Sequence, residues 1–251
     1  MPVRYGTLLL GASPVGAGLN GAVRGFADLD GTEEPVIAKQ IPIPEILGEI
    51  FCALLCRSLD LPAPEPLLLK NQETGLWMFG SIDLAYPNCS QFLMLDASNQ
   101  RAYEKSCFIW SQFLSKWPSL PKTIAFDEWV NNKDRNPGNL LWQDENEFAL
   151  IDHGRALNLD PSSPDENKLV SFWLLSAQGD ELAHRRIMTS AKTFAQRFDT
   201  FLPRGAASEM ENLGQAALTE AFINFLDGRL HSILCHITSR FPVPSQKELP
   251  V

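Results

Sequence analysis

Asp127-Glu128-Trp129-Val130-Asn131-Asn132-Lys133-Asp134-Arg135-Asn136-Pro137-Gly138-Asn139-Leu140-Leu141, followed by Ile151-Asp152-His153-Gly154, is the stretch on which the reading of this chain turns. Four residues separate Asp134 from Asn139, and Asp152 stands thirteen positions further on, opening an Asp-x-Gly turn. Each acid alone reads as a solvated loop carboxylate or a helix cap. Together the three supply a carboxylate that can orient a hydroxyl and two hard oxygen ligands for Mg²⁺, which is what phosphoryl transfer requires. The surroundings fit. A helix over about 124–131 leads in, and Pro137-Gly138 breaks it into a compact turn that aims Asp134 and Asn139 inward. Leu140-Leu141-Trp142 and Phe148-Ala149-Leu150-Ile151 read as short strands around the polar turn 143–146, with Asn139 at the entrance and Asp152 at the exit.

Working outward, Gly16-Ala17-Gly18-Leu19-Asn20-Gly21-Ala22-Val23 matches G-x-G-x-x-G-x-V, a pattern that lets backbone N–H groups approach phosphate oxygens. Residues 22–27 read as a strand, Asp30-Gly31 as a turn, and Val36-Ile37-Ala38-Lys39-Gln40-Ile41 as a returning strand. Lys39 has two readings, a solvent-facing lysine on an edge strand or a phosphate anchor in a setting close to the V-A-I-K signature of protein kinases. The glycine-rich hairpin before it and the acidic loop after it favour the anchor. A helix opened by Pro44 and ending near Asp60 and Pro62 carries an apolar stripe and two acids one turn apart, Glu45 and Glu49. Glu49, deeper in the helix, is the expected partner of Lys39, with Glu45 as its substitute. Apolar runs 67–69 and 76–79 around the turn 71–75 form a further hairpin. Residues 80–83 would then offer backbone to an adenine.

Downstream, Gln100 to Trp117 reads as a helix, as do 181–198 and 215–236, with residues 161–165 a loop and the end from Phe241 an extended tail. Arg135 is expected to pair structurally, and His153 is given no catalytic or metal role.

The chain has 251 residues, 45% hydrophobic and 20% charged, the profile of an ordinary globular protein. Its 21 Lys+Arg against 30 Asp+Glu leave a formal net charge of −9 and no basic stripe, which argues against nucleic acid as a partner. Five scattered cysteines, Cys52, Cys56, Cys89, Cys107 and Cys235, read as reduced core residues, and Cys52/Cys56 lack the further ligands of a metal site. No apolar run approaches a membrane span, so a cytoplasmic location is expected.

The run 126–141 with Leu150-Ile151-Asp152-His153-Gly154-Arg155-Ala156-Leu157 resembles the HipA-like kinases, distant relatives of the phosphatidylinositol 3- and 4-kinases. The segment from Glu49 through Leu59-Asp60-Leu61-Pro62-Ala63-Pro64 is similar to that family's stretch ending in Leu-Gly-Leu-Pro-x-Pro, and it too selects Glu49. The resemblance covers about residues 8–160. It implies a two-lobed, protein-kinase-like α+β fold. Residues 1–83 would form an N-lobe with a small antiparallel β-sheet and one helix, and residues 84–251 a mainly helical C-lobe. It further implies phosphoryl transfer dependent on ATP and Mg, to Ser/Thr on a protein. Gly16, Gly18 and Gly21 would cradle phosphates, Lys39 would hold them and Glu49 would hold Lys39. Asp134 would orient the acceptor, and Asn139 and Asp152 would bind the metal. The extra N-terminal subdomain of full-length HipA toxins is not expected to fit in this chain, so the resemblance is not taken to imply toxin activity or an antitoxin partner. Two other readings stay open: a pseudokinase or nucleotide-binding interaction module, and a kinase for a lipid or small-molecule hydroxyl.

Overall fold

A computed structural model describes residues 2–15, 21–96, 98–157 and 166–243. Gly16 and Gly18, the loop 161–165 and the tail from Pro244 fall outside them. The fold is mixed α+β. The chain divides into two compact units, each discontinuous in sequence: Met1–Tyr86 with Ala149–Leu157 and Thr200–Phe225, and Pro87–Phe148 with Asn158–Asp199 and Leu226–Val251. No helix among the described residues is long and apolar enough to cross a membrane.

The first unit is built on six strands: β1 (Arg4–Leu8), β2 (Ser13–Pro14), β3 (Val23–Leu29), β4 (Thr32–Lys39), β5 (Pro66–Asn71) and β6 (Trp77–Ile82). They run in the order β1-β5-β6-β4-β3-β2, and β1 also pairs with β3, so five of them close into a barrel. The expectation of a small antiparallel sheet is thus corrected: the sheet closes, and one of its pairings is parallel. β1, unread in the sequence, pairs parallel with β5 (Tyr5 opposite Leu68) and antiparallel with β3 (Thr7 opposite Asp28). Closure satisfies backbone groups that an open sheet would leave at its edges. Alternate residues point inward, and Leu8, Ala27, Leu29, Val36, Ala38, Leu67, Leu69 and Met78 fill the interior. Gly6 sits at a close approach of neighbouring strands. A Cβ there would lie 2.3 Å from Leu29 Cδ2 and 2.8 Å from the Asp28 carbonyl oxygen.

Helix α1 (Ile43–Ser58) has proline in its first turn and Glu45 beside it, as its sequence suggests. It is not amphipathic, however: every residue from Ile46 to Cys56 is buried. β5 and β6 cover one side, while helix α7 (Phe201–Glu209) covers another and Phe222 meets Phe51 at 5.4 Å between ring centroids. Those partners lie some 150 residues downstream, beyond the reach of local periodicity. Near the end of α1, the Leu150 N–H donates to the Pro62 carbonyl at 2.7 Å, fastening the segment that carries Asp152.

The second unit is helical. Its elements are α2 (Cys89–Phe92), α3 (Gln100–Lys116), α4 (Leu120–Val130), α5 (Lys168–Ala177), α6 (Glu181–Ala195) and α9 (Ile233–Ser239); the intervening α8 (Ala216–Leu230) runs from one unit into the other. The helix expected over 215–236 is in fact α8 and α9, interrupted at His231-Ser232. Helix α4 starts a turn earlier than expected, with Pro121 in its first turn, and is buried at every residue from Thr123 to Val130. The hairpin of β7 (Leu140–Asp144) and β8 (Glu147–Leu150) follows the acidic loop. Its Trp142 stacks on Phe92 at 3.9 Å and meets Phe113 edge-on at 4.8 Å, which anchors the loop's exit in an aromatic cluster.

Candidate active site

Lys39 lies on β4, which has β3 on one side and β6 on the other, so the edge-strand reading fails. Inward Ala38 places Lys39 on the opposite face, where its side chain is only 12% exposed. Its Nζ stands 3.2 Å from Asp152 Oδ1 and 3.6 Å from Glu49 Oε1. Three expected site residues from three separate segments therefore meet at one ammonium. Glu45, the substitute partner, is exposed at the helix start.

Glu49 does more than pair with Lys39. Its Oε2 accepts the His153 backbone N–H at 2.6 Å, and the His153 ring Nδ1 stands 3.7 Å away. Burial pushes this carboxyl up, but the His153 side chain, the Lys39 charge and the His153 N–H together outweigh it and hold the pKa down at about 2. Glu49 is thus an ionised carboxylate at 1% exposure. Asp152 has φ +59°, in the left-handed region, and the N–H that follows it is the one Glu49 accepts. Gly154 completes the turn: a Cβ there would sit 3.3 Å from Glu49 Oε1. His153 closes the rear of the group, its Nε2 at 3.6 Å from Cys56 Sγ.

Of the three phosphate-loop glycines, only Gly21 lies within the described residues. It has φ +56° with open space where a Cβ would be, and next to it the Val15 N–H donates to Ala22 O at 2.8 Å. The expected adenine-facing backbone of 80–83 is largely committed to the barrel. The Ile82 N–H donates to Glu65 O and the Asp83 N–H to Pro35 O. Those two donors already have partners.

The second group belongs to the other unit. Asn132, Asp134, Arg135, Asn136 and Asn139 form a loop closed on itself by hydrogen bonds. The Asn139 amide donates to the Asp134 carbonyl at 2.7 Å, as does Asn136 at 3.0 Å, while Asn136 Oδ1 accepts the Gly138 N–H at 2.8 Å. With its nitrogen engaged, Asn139 has its amide oxygen to offer a cation. Arg135, fully buried, makes a two-pronged pair with Asp127, Nη2 to Oδ1 at 2.9 Å and Nε to Oδ2 at 3.2 Å, and its Nη1 donates to Asn139 O. The structural role expected of Arg135 is the one it plays. Asp127 and Glu128, adjacent on α4 and both buried, anchor opposite sides of the region: Asp127 holds the loop, and Glu128 accepts from Asn167 Nδ2 at 2.9 Å and Arg240 Nε at 2.8 Å.

Lys168, given no role by the sequence reading, places its Nζ 2.5 Å from Asp134 Oδ1. A signal was present in Asn167, a good N-cap residue ahead of an apolar run; α5 does begin there, with Asn167 Oδ1 accepting the Val170 N–H.

The HipA-like kinase family model matches residues 30–201, well over half of the chain. The chain belongs to the HipA-like kinase family. No curated protein matches it by sequence. Among solved structures, the proinflammatory kinase CtkA of Helicobacter pylori superposes with a TM-score of 0.54 at 15% identity, over 95% of this chain and 99% of that one. HipA of Shewanella oneidensis MR-1, from a toxin–antitoxin complex with HipB and its operator DNA, gives 0.55 at 12% identity, over 95% of this chain and 68% of that one. At these identities the likeness speaks for the fold. The family match supports a kinase-type phosphotransferase.

Proposed function

We propose that this HipA-like kinase is a two-lobed, protein-kinase-like, cytoplasmic enzyme that transfers the γ-phosphoryl group of ATP, with Mg²⁺, to Ser or Thr of a protein. The observation that carries this reading is the meeting of Lys39, Glu49 and Asp152. A lysine held by a buried, ionised glutamate and facing a second carboxylate is built to neutralise phosphate oxygens beside a metal ligand. The donor set suits Mg²⁺, a hard cation bound through one or two protein oxygens together with phosphates and water. By the family resemblance, Asp152 and Asn139 are the residues that would hold it. Bound there, the metal would neutralise charge on the phosphate oxygens.

Lys39 would bind the α/β-phosphates, its position fixed by Glu49. Gly21, with Gly16 and Gly18, would cover them from the hairpin loop. Asp134 would orient the acceptor hydroxyl. The acceptor oxygen bonds to the γ-phosphorus as the bond to the ADP oxygen breaks, and the hydroxyl proton leaves toward Asp134.

Incubation with γ-labelled ATP and Mg²⁺, alone and with cell lysate, tests the reading. Label is expected on a protein band. It should vanish in Asp134→Ala while nucleotide binding persists, and Mg²⁺-dependent nucleotide affinity should fall in Asp152→Ala. Label confined to lipid or small-molecule fractions would replace the acceptor. Nucleotide binding without any transfer would leave a pseudokinase.

A further inference from the structure

We propose that Lys168 is a positioning residue for the Asp134 carboxylate, fixing the orientation in which it meets the acceptor hydroxyl; this rests on the phosphotransferase reading above. The contact itself is short, 2.5 Å from Nζ to Oδ1, with side-chain exposures of 37% and 22%. An isolated pair at that exposure would contribute little to stability. What distinguishes this one is the rigidity of both ends.

Lys168 is the first residue of α5, so its backbone is set by the helix start. That start is held by Asn167, itself 3% exposed, which caps the helix through Oδ1 and donates through Nδ2 to Glu128. Glu128 is in turn clamped by Arg240 through both carboxylate oxygens. On the other side, the Asp134 backbone N–H donates to Asn132 Oδ1, and its carbonyl accepts from both Asn136 and Asn139. Asn132 also donates to Asp127, the residue preceding Glu128 on α4. Two neighbouring buried acids on one buried helix thereby fix the two backbones that bring Lys168 and Asp134 together. Burying such polar groups is costly unless each is satisfied, and here the outcome is a lysine delivered to one carboxylate oxygen.

A carboxylate on a loop has a free χ rotation that a reacting hydroxyl must otherwise restrict. An ammonium on Oδ1 removes that freedom beforehand. The lysine acts through Asp134, and its effect should appear in turnover and not in nucleotide affinity.

The test compares wild type, Lys168→Met, Lys168→Arg and Asp134→Asn, each alone, and Lys168→Met combined with Asp134→Asn. The readouts are single-turnover transfer from γ-labelled ATP, nucleotide affinity by titration, and thermal unfolding. Lys168→Met should lower the transfer rate by about 10- to 100-fold, the scale of a misoriented reacting group, with nucleotide affinity within about twofold of wild type. Lys168→Arg should restore most of the rate. In the Asp134→Asn background, Lys168→Met should add little further loss. An unchanged or faster rate in Lys168→Met overturns the inference, as does an equal loss in both backgrounds. A wild-type protein that transfers no label refutes the phosphotransferase reading itself, a result distinct from failure at Lys168.

Discussion

Replacing Arg135 by methionine isolates what the buried pair beneath the acidic loop contributes. Arg135 and the Asp127 side chain are both fully buried, and the guanidinium meets the carboxylate through two bonds of 2.9 and 3.2 Å. Methionine fills much of the space but leaves a carboxylate in the interior with its cationic partner gone. Breaking such a pair from one side costs about 3–5 kcal/mol, because the stranded charge keeps its desolvation penalty and loses its compensation. For a chain of this size that corresponds to a fall in Tm of about 6–20 °C. Replacing both partners, Asp127→Leu with Arg135→Met, removes the stranded charge and should recover more than half of the loss. It should not recover everything. Asn132 Nδ2 also donates to Asp127 and Arg135 Nη1 to Asn139 O, so about 1–3 kcal/mol of unsatisfied polar groups remains. Urea unfolding followed by the fluorescence of the six tryptophans would measure Arg135→Met, Asp127→Leu and the double variant. A single variant within about 1 kcal/mol of wild type refutes the reasoning, as does a double variant whose loss equals the sum of the two singles.

Glu49, held near pKa 2 in the folded protein against an ordinary 4.5, contributes stability that is complete above about pH 4.5 and is lost as pH falls toward 2. The contribution is on the order of 3 kcal/mol, and Glu49→Gln should flatten that part of the pH–stability curve; a parallel curve would show that Glu49 is not the titrating group. Gly6→Ala drives a methyl group against Leu29 and the Asp28 carbonyl in the barrel ring and should destabilise by about 1–3 kcal/mol in chemical denaturation, whereas a neutral outcome would mean the ring can open locally. Cys235 is exposed while Cys52, Cys56, Cys89 and Cys107 are buried, and burial pushes Cys89 up to about 12. A thiol reagent at pH 8 should therefore modify one cysteine quickly in the native protein and all five in denaturant; two or more fast thiols would contradict that burial.

Legibility in the sequence followed the range of the interactions. The loop around Asp134 and Asn139 was readable because Pro137-Gly138 and the short polar side chains set its shape locally, through hydrogen bonds spanning two to five residues. Lys39 and Glu49 were readable because strand and helix periodicities place each on a known element. β1 escaped notice because its five residues carry little alternation of their own; they are a strand through pairing with β5 and β3. Helix α1 passed for amphipathic because its sequence contains no record of α7 and Phe222 packing on its outer side.

By itself, then, the sequence determined the chemistry on offer: a lysine, a helix glutamate, two aspartates and an asparagine, in an order that names the kinase family. Only the tertiary structure decided what each group faces. The pairing of β4 with β3 and β6 turns Lys39 toward Glu49 and Asp152, the His153 N–H gives Glu49 a second partner, and the capped start of α5 brings Lys168 to Asp134. The reason is that covalent spacing fixes local conformation, whereas the charge state and orientation of a side chain depend on groups up to about a hundred residues away that burial alone brings within bonding distance.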